Sequence, residues 1–325
     1  MFTLHQPFLL HAMTSIHAGS GSEIGHVDLP IQREKHTSYP KIESSSLKGA
    51  LRHHMASGIL TTEQANAELT VVFGSAPKDQ TEASVDSNDT QASAVSFLDA
   101  RILLFPVRSL KGTFVWVTCP AVLQRFNREM RMLSSTPDNT VIQLPLHKVE
   151  PGTVSSNEVL IDSKALVLEE YTISAAYSEP TAQLATELGK WLDDDAPLGI
   201  EKRLTVLNDD EFTNFVKFST EVNARIRVED SGVVEGGLWY EENVPPETIF
   251  YSALLIGQAR DIRRPAKNKN ENRENVQISE LKTAEQIELY IRSHFPEVFQ
   301  LGGSTTIGKG LFRKIWLKEE PLHDI

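Results

Sequence analysis

The stretch VSFLDARILLFPVRSLKGTFVWVTCPAVLQRFNREMRMLSS, Val95 to Ser135, decides the fold. Its first two runs, Val95–Val107 and Gly112–Pro120, are apolar and rich in β-branched and aromatic residues, the composition of strands. The period then changes. Leu123, Phe126, Met130 and Leu133 recur at helical spacing behind Pro120, a residue suited to the first turn of a helix. Two strands followed by a helix are therefore expected.

Working outward, Phe2–Ile16 reads as an extended apolar stretch, and His17–Pro40 carries too much Gly, Ser and Pro for either regular element. In SSSLKGALRHHMASG, Ser44–Gly58, serine stands at the N-cap, Leu47, Leu51 and Met55 share one face, and Gly58 supplies a stop. Lys48 and Arg52 share another face, four residues apart. The resulting β-α-β-β-α order gives an α+β fold: an RRM or ferredoxin-like antiparallel sheet with helices on one face and large insertions. Residues 1–325 are read as one such domain. Residues 76–94, polar and acidic, are expected to be a mobile insertion that buries nothing.

Downstream, Pro180–Asp195 and Leu207–Thr220 read as helices. Val222–Val228 alternates apolar and polar residues and turns into Val233–Glu242, a β-hairpin whose Arg225 and Arg227 are expected to face water. Glu247–Gln258 is a further strand, residues 258–277 form a basic polar loop, Ala284–Gln300 is a helix, and Leu311–Leu317 is a last strand.

Thirty-two Lys and Arg against 44 Asp and Glu give a net charge of −12, which argues against binding nucleic acid through bulk charge. A basic site must be local. Ile31–His54 is such an island, with five Lys or Arg against two Glu. The single cysteine, Cys119, excludes an internal disulfide, and with neither a basic leader nor a membrane-length apolar run the expected compartment is the cytoplasm.

GGSTTIGKGLF, Gly302–Phe312, fits the first seven positions of a phosphate-binding P-loop through Gly303, Gly308 and Lys309. The eighth fails, because Gly310 replaces the Ser or Thr that would hold Mg²⁺, and helix precedes loop precedes strand, the reverse of the required order. What remains is a permissive glycine backbone beside Lys309, Arg313 and Lys314, with no acid between Gly302 and Lys318. It suits either close approach of a phosphodiester or a plain turn.

Residues 17–52, 97–120, 225–250 and 301–310, in that order along the chain, resemble the RAMP superfamily, the RRM-like proteins of CRISPR-Cas systems. The match is closer to the backbone subunits of the Cmr, or type III-B, effector. The resemblance implies several copies aligned along a crRNA among other Cmr subunits, each cutting paired target RNA with a divalent metal, Mg²⁺ or Mn²⁺, at Asp28 of the VDLP loop. It also implies functional roles for His17 and Glu241, and a thumb-like hairpin near Ala76 or near Arg260. Many members carry Tyr where this chain has Asn243.

Asp is a weak base towards an alcohol, with an ordinary pKa of about 3.9, so Asp28 reads as a metal ligand or an orienting acceptor if a ribose 2′-OH attacks its own phosphate. Products would be a 2′,3′-cyclic phosphate and a 5′-OH. On spacing alone Asp28 suits an Asx turn better, a preference that the resemblance reverses, and His17 suits either an acid/base role or a structural hydrogen bond. Ser45, Ser46, Lys48 and Arg52, with Gly302, Gly303, Gly308, Lys309 and Gly310, are the candidate RNA-binding residues. Two other functions remain open: a filament subunit that binds crRNA without cutting, and a stand-alone endonuclease processing precursor crRNA. No membrane partner is expected.

Overall fold

The computed structural model describes residues 2–59, 63–75, 91–134, 142–192, 199–228, 230, 232, 234, 237–260, 262–263, 275–276 and 279–317. Four strands form its core, in the spatial order Leu311–Trp316, Phe2–Ala12, Ile249–Gly257, Ala100–Arg108, every neighbouring pair antiparallel. In chain order this is 4-1-3-2, the arrangement of a ferredoxin-like sheet. The first crossover contains helix Ser44–Ile59 and the second contains helix Ala284–His294.

The expected fold class stands, but two elements change places. Phe114–Thr118 and the helix Pro120–Leu133 satisfy the predicted periods, yet they are not the third strand and second helix of the core. They open a long insertion that ends just before Ile249. Phe114–Thr118 pairs with the far end of Ala100–Arg108, through Phe105 to Arg108, and then with Leu204–Val206 in parallel, so the sheet continues outward.

Parity along Phe2–Ala12 sorts the layers, since successive side chains point to opposite faces. Gln6 bonds Glu288 and Phe8 stacks edge-on against Phe295, which places helix Ala284–His294 on the even face. His5 bonds the Leu133 carbonyl, and Tyr251, the cross-strand partner of Leu9, donates to Glu129. The inserted helix therefore covers part of the odd face. Its Leu123, Phe126 and Met130 are buried as expected, and Pro120 occupies the first turn behind Cys119.

The hairpin is present as Glu221–Arg225 paired with Trp239–Asn243, extended by a bridge between Val228 and Val234. Residues 76–90, the place suggested for a thumb near Ala76, lie outside the described residues; near Arg260 the short antiparallel pair Ile262–Arg263 and Asn275–Val276 is described, and residues 264–274 are not. The carboxy-terminal end of the supposed insertion is not free of the core. Gln91 and Ala94 are buried, Gln91 donates to the Arg260 carbonyl, and Ser93 donates to the carbonyls of Val72 and Val95. Small residues there fit beneath the sheet edge, which polarity alone does not report.

Candidate nucleic-acid cleavage site

Strand Trp239–Asn243 organises the site. One of its edges pairs with Glu221–Arg225; the other is read by the loop after the first core strand. Ile16 and Val244 exchange backbone hydrogen bonds, Glu242 donates its N–H to the Leu29 carbonyl, and Asp28 and Leu29 both donate to the Tyr240 carbonyl. The loop's two limbs are also tied together by Gln32 N–H to Ala18 and Ser20 N–H to Pro30. This zipper fixes an otherwise glycine-rich segment.

Asp28 is half-buried, and its Oδ2 accepts from the Tyr240 N–H at 2.7 Å. His17 is 9% exposed, and its Nδ1 lies 2.7 Å from the Glu242 carbonyl. A carbonyl only accepts, so Nδ1 carries the proton and Nε2 keeps a lone pair in the neutral ring. The two anchors are two residues apart on one strand edge, a rise of about 7 Å. Asp28 and His17 thus stand side by side although eleven residues separate them in sequence.

The glycine loop closes over His17. Gly303 donates its N–H to the His17 carbonyl at 2.8 Å, and a Cβ on Gly303 would stand 3.0 Å from the imidazole Cδ2. At Gly302, with φ +100°, a Cβ would meet the His17 carbonyl oxygen at 2.5 Å. Gly310, with φ +84°, has the Leu301 carbonyl 2.1 Å from the same position. Gly308 is left-handed as well but faces open space. Gly302 and Gly303 are used for tight packing on the first strand's loop, and Gly310 for close approach to the Leu301 backbone.

Glu241 projects from the strand into this loop and is 5% exposed. Its Oε1 accepts from Lys309 Nζ at 3.0 Å and from Arg225 at 3.4 Å, and its Oε2 from Ser304 Oγ at 3.3 Å. Burial pushes this carboxyl up, but the Lys309 ammonium, with the nearby His17 and Arg225, holds it below the ordinary glutamate value. Lys309 also donates to Asn243 Oδ1 at 2.7 Å. Arg225 is drawn inward to Glu241 from the adjacent strand, contrary to the expectation that it faces water.

Ser45, Ser46, Lys48 and Arg52 occupy the first turns of helix Ser44–Ile59, apart from the Glu241 cluster. Ser45 is exposed, Ser46 Oγ accepts from Gln32, and the Ser44 N–H is taken by Asp99. Lys48 and Arg52 lie on one face as predicted, donating to the carbonyls of Val95 and Gly74. Burial, together with the neighbouring Arg52 charge, lowers the Lys48 ammonium below its ordinary value. Among the described residues neither cation has a carboxylate within ion-pair distance.

Three supporting residues escaped the sequence reading. Gln32 joins the two regions, donating to Gly19 O and Ser46 Oγ at 3.2 Å each while accepting from the Glu43 N–H at 2.8 Å. Glu242, 6% exposed, accepts from the Arg33 guanidinium, the Thr220 hydroxyl and the Ile31 N–H. Arg33 further donates to the carbonyls of Ser38 and Val216. Only Gln32 and Arg33 carried a hint, their setting in the acid-poor island from Ile31.

Among the described residues no three His, Cys, Asp or Glu side chains are grouped so as to hold a metal ion. Asp28 Oδ1 remains as one oxygen donor beside the exposed loop. A hard cation there would draw its other ligands from RNA phosphate and water, the usual habit of Mg²⁺. No helix among the described residues is long and apolar enough to cross a membrane.

A family model described as the RAMP superfamily matches residues 9–313. The chain is 34% identical over 315 residues to the "CRISPR system Cmr endoribonuclease Cmr4" of Pyrococcus furiosus, covering 95% of this chain and 94% of that protein. It is 28% identical to the "CRISPR system CMR subunit Cmr4" of Saccharolobus solfataricus, with 98% of each covered. Among solved structures, the "Type III-B Cmr-beta bound to cognate target RNA" includes a chain with a TM-score of 0.67 and 26% identity, covering 97% of this chain and 98% of that one. "Oligomeric Cmr4 from Pyrococcus furiosus" gives a TM-score of 0.63 at 25% identity, with 98% and 100% covered.

Proposed function

We propose, from the premise that this chain belongs to the RAMP superfamily, that it cuts target RNA at the Asp28 loop. It is a crRNA-binding backbone subunit of a type III-B Cmr effector, working with copies of itself, with other Cmr subunits and with target RNA. The observation that carries the reading is the 34% identity across 95% of the chain to an endoribonuclease of that system.

The local chemistry supports a division of labour. Lys48 and Arg52, two adjacent cations without a carboxylate partner among the described residues, suit the phosphates of a guide strand. Asp28 and His17 flank one strand edge, where a scissile linkage would lie. A divalent cation bound at Asp28 would neutralise charge developing on the phosphate. His17 Nε2, in the accepting tautomer, would take the proton of a 2′-OH as that oxygen bonds to phosphorus, while the P–O5′ bond breaks and the 5′-oxygen takes a proton from water, leaving a 2′,3′-cyclic phosphate and a 5′-OH. Glu241, surrounded by donors, stays ionised and acts as a fixed charge.

The test uses the assembled effector and matched RNA with Mg²⁺. Wild-type complex cuts at regular intervals; an Asp28→Ala complex binds the same RNA and leaves it whole. Undiminished cutting by the variant would refute the assignment.

A further inference from the structure

Lys309 sits in the part of the glycine loop that most resembles a phosphate cradle, yet its ammonium points into the protein. Its side chain is 14% exposed and donates to Glu241 Oε1 and Asn243 Oδ1, at 3.0 and 2.7 Å. These acceptors lie two residues apart on one face of Trp239–Asn243. The Asn243 amide nitrogen donates to the Glu241 carbonyl at 3.2 Å, which turns Oδ1 towards the lysine.

We infer that Lys309 is a positioning residue of the cleavage centre rather than a ligand of RNA phosphate, clamping the glycine loop onto strand Trp239–Asn243 through Glu241 and Asn243. Swinging out to a phosphate would strip a buried carboxylate of its nearest cation, a change that is strongly unfavourable. The loop is built around the inward position. Gln300 Nε2 holds the Lys309 carbonyl at 2.7 Å and that of Thr305 at 2.8 Å, while Ser304 Oγ reaches the other oxygen of Glu241. From Ser304 the chain runs back to Gly303, whose N–H meets the His17 carbonyl and which leaves room for no Cβ without crowding the imidazole. Lys309 thereby acts on the reaction through the placement of His17.

The inference rests on the functional reading above, and its test separates the two. In the assembled effector, Lys309→Met is expected to slow single-turnover cutting of matched RNA about 100-fold, the scale of a misplaced reacting group. Target affinity and its dependence on salt stay as in the wild type. Lys309→Arg, which keeps a cation beside Glu241, recovers most of the rate. A phosphate ligand would behave otherwise: affinity would fall and the salt slope would flatten by about one ion. That outcome overturns the inference. Where Lys309→Met fails to assemble, the Lys309→Met/Glu241→Gln double variant removes the stranded charge, and its salt slope decides in the same way. A wild-type complex that cuts nothing defeats the functional reading alone, since the salt slope still reports on Lys309.

Discussion

Oδ2 of Asp28 accepts the Tyr240 N–H at 2.7 Å, so one oxygen of the carboxylate holds the loop and the other is left for chemistry. Asparagine can keep the first role without the charge needed for the second. Asp28→Asn is expected to leave subunit stability within about 0.5 kcal/mol, as for a substitution that breaks no buried contact. Cutting should fall at least about 100-fold. Denaturant midpoints and single-turnover rates measured side by side check it; equal loss of both would make Asp28 a structural residue.

Removing divalent cations has a separate signature. With one protein carboxylate at the site, chelation should abolish cleavage while matched RNA stays bound, and added Mg²⁺ should restore the rate. Gel-shift and cleavage assays on the same complex distinguish this from a metal-independent nuclease, which would cut equally well in EDTA.

The loop glycines divide into two kinds. A methyl group at Gly310 would collide with a backbone carbonyl 2.1 Å away at a left-handed φ, so Gly310→Ala should destabilise the subunit by about 2 kcal/mol or more. At Gly303 the neighbour is the side chain of His17. Gly303→Ala should mainly displace that ring and depress cleavage, with the smaller effect on melting. Matching losses of stability in the two variants would count against this ordering.

Glu242 carries structure rather than catalysis. Its removal strands Arg33 and leaves the Thr220 hydroxyl and Ile31 N–H without their acceptor. Glu242→Ala should cost about 3–5 kcal/mol, the range for breaking a buried ion pair from one side. Urea denaturation of the subunit measures it, and a loss under about 1 kcal/mol, the scale of an exposed pair, would show the network to be dispensable.

Glu241 gives a pH dependence with a definite sign. Its folded pKa lies below the ordinary 4.5, so its stabilisation is complete above that value and fades as pH falls through the lower folded pKa. The stability gap between wild type and Glu241→Gln should hold from pH 7 to about 5 and shrink in stronger acid. A gap constant to pH 3 would mean that the carboxylate charge is not what the site uses.

Local states were largely legible in the sequence, and partners were not. The period behind Pro120 marks a helix whichever sheet face it covers, and Phe114–Thr118 is as apolar as Ile249–Gly257. Nothing in either run says which will lie between the first and second core strands. Asp28, His17 and Glu241 were reached through family likeness, and the geometry brings all three to one strand. Arg225 defeated the alternation rule because its partner sits on the neighbouring strand, sixteen residues away. Gln32 and Glu242 act through bonds to remote backbone, up to 211 residues distant, which no local pattern records.

The order of strands also shapes the birth of the protein. Phe2–Ala12 leaves the ribosome long before either of its neighbours, for Leu9 waits for Tyr251 and Phe8 for Trp316. At about 5–20 residues per second, that delay is roughly 10 to 60 s. Until Tyr251 emerges an apolar ribbon has both of its hydrogen-bonding edges vacant, and until Trp316 follows it still has one, open to aggregation. Phe2–Ala12 is thus the segment whose edges most need cover during synthesis, and loss of Leu311–Trp316 would leave one of them bare for good.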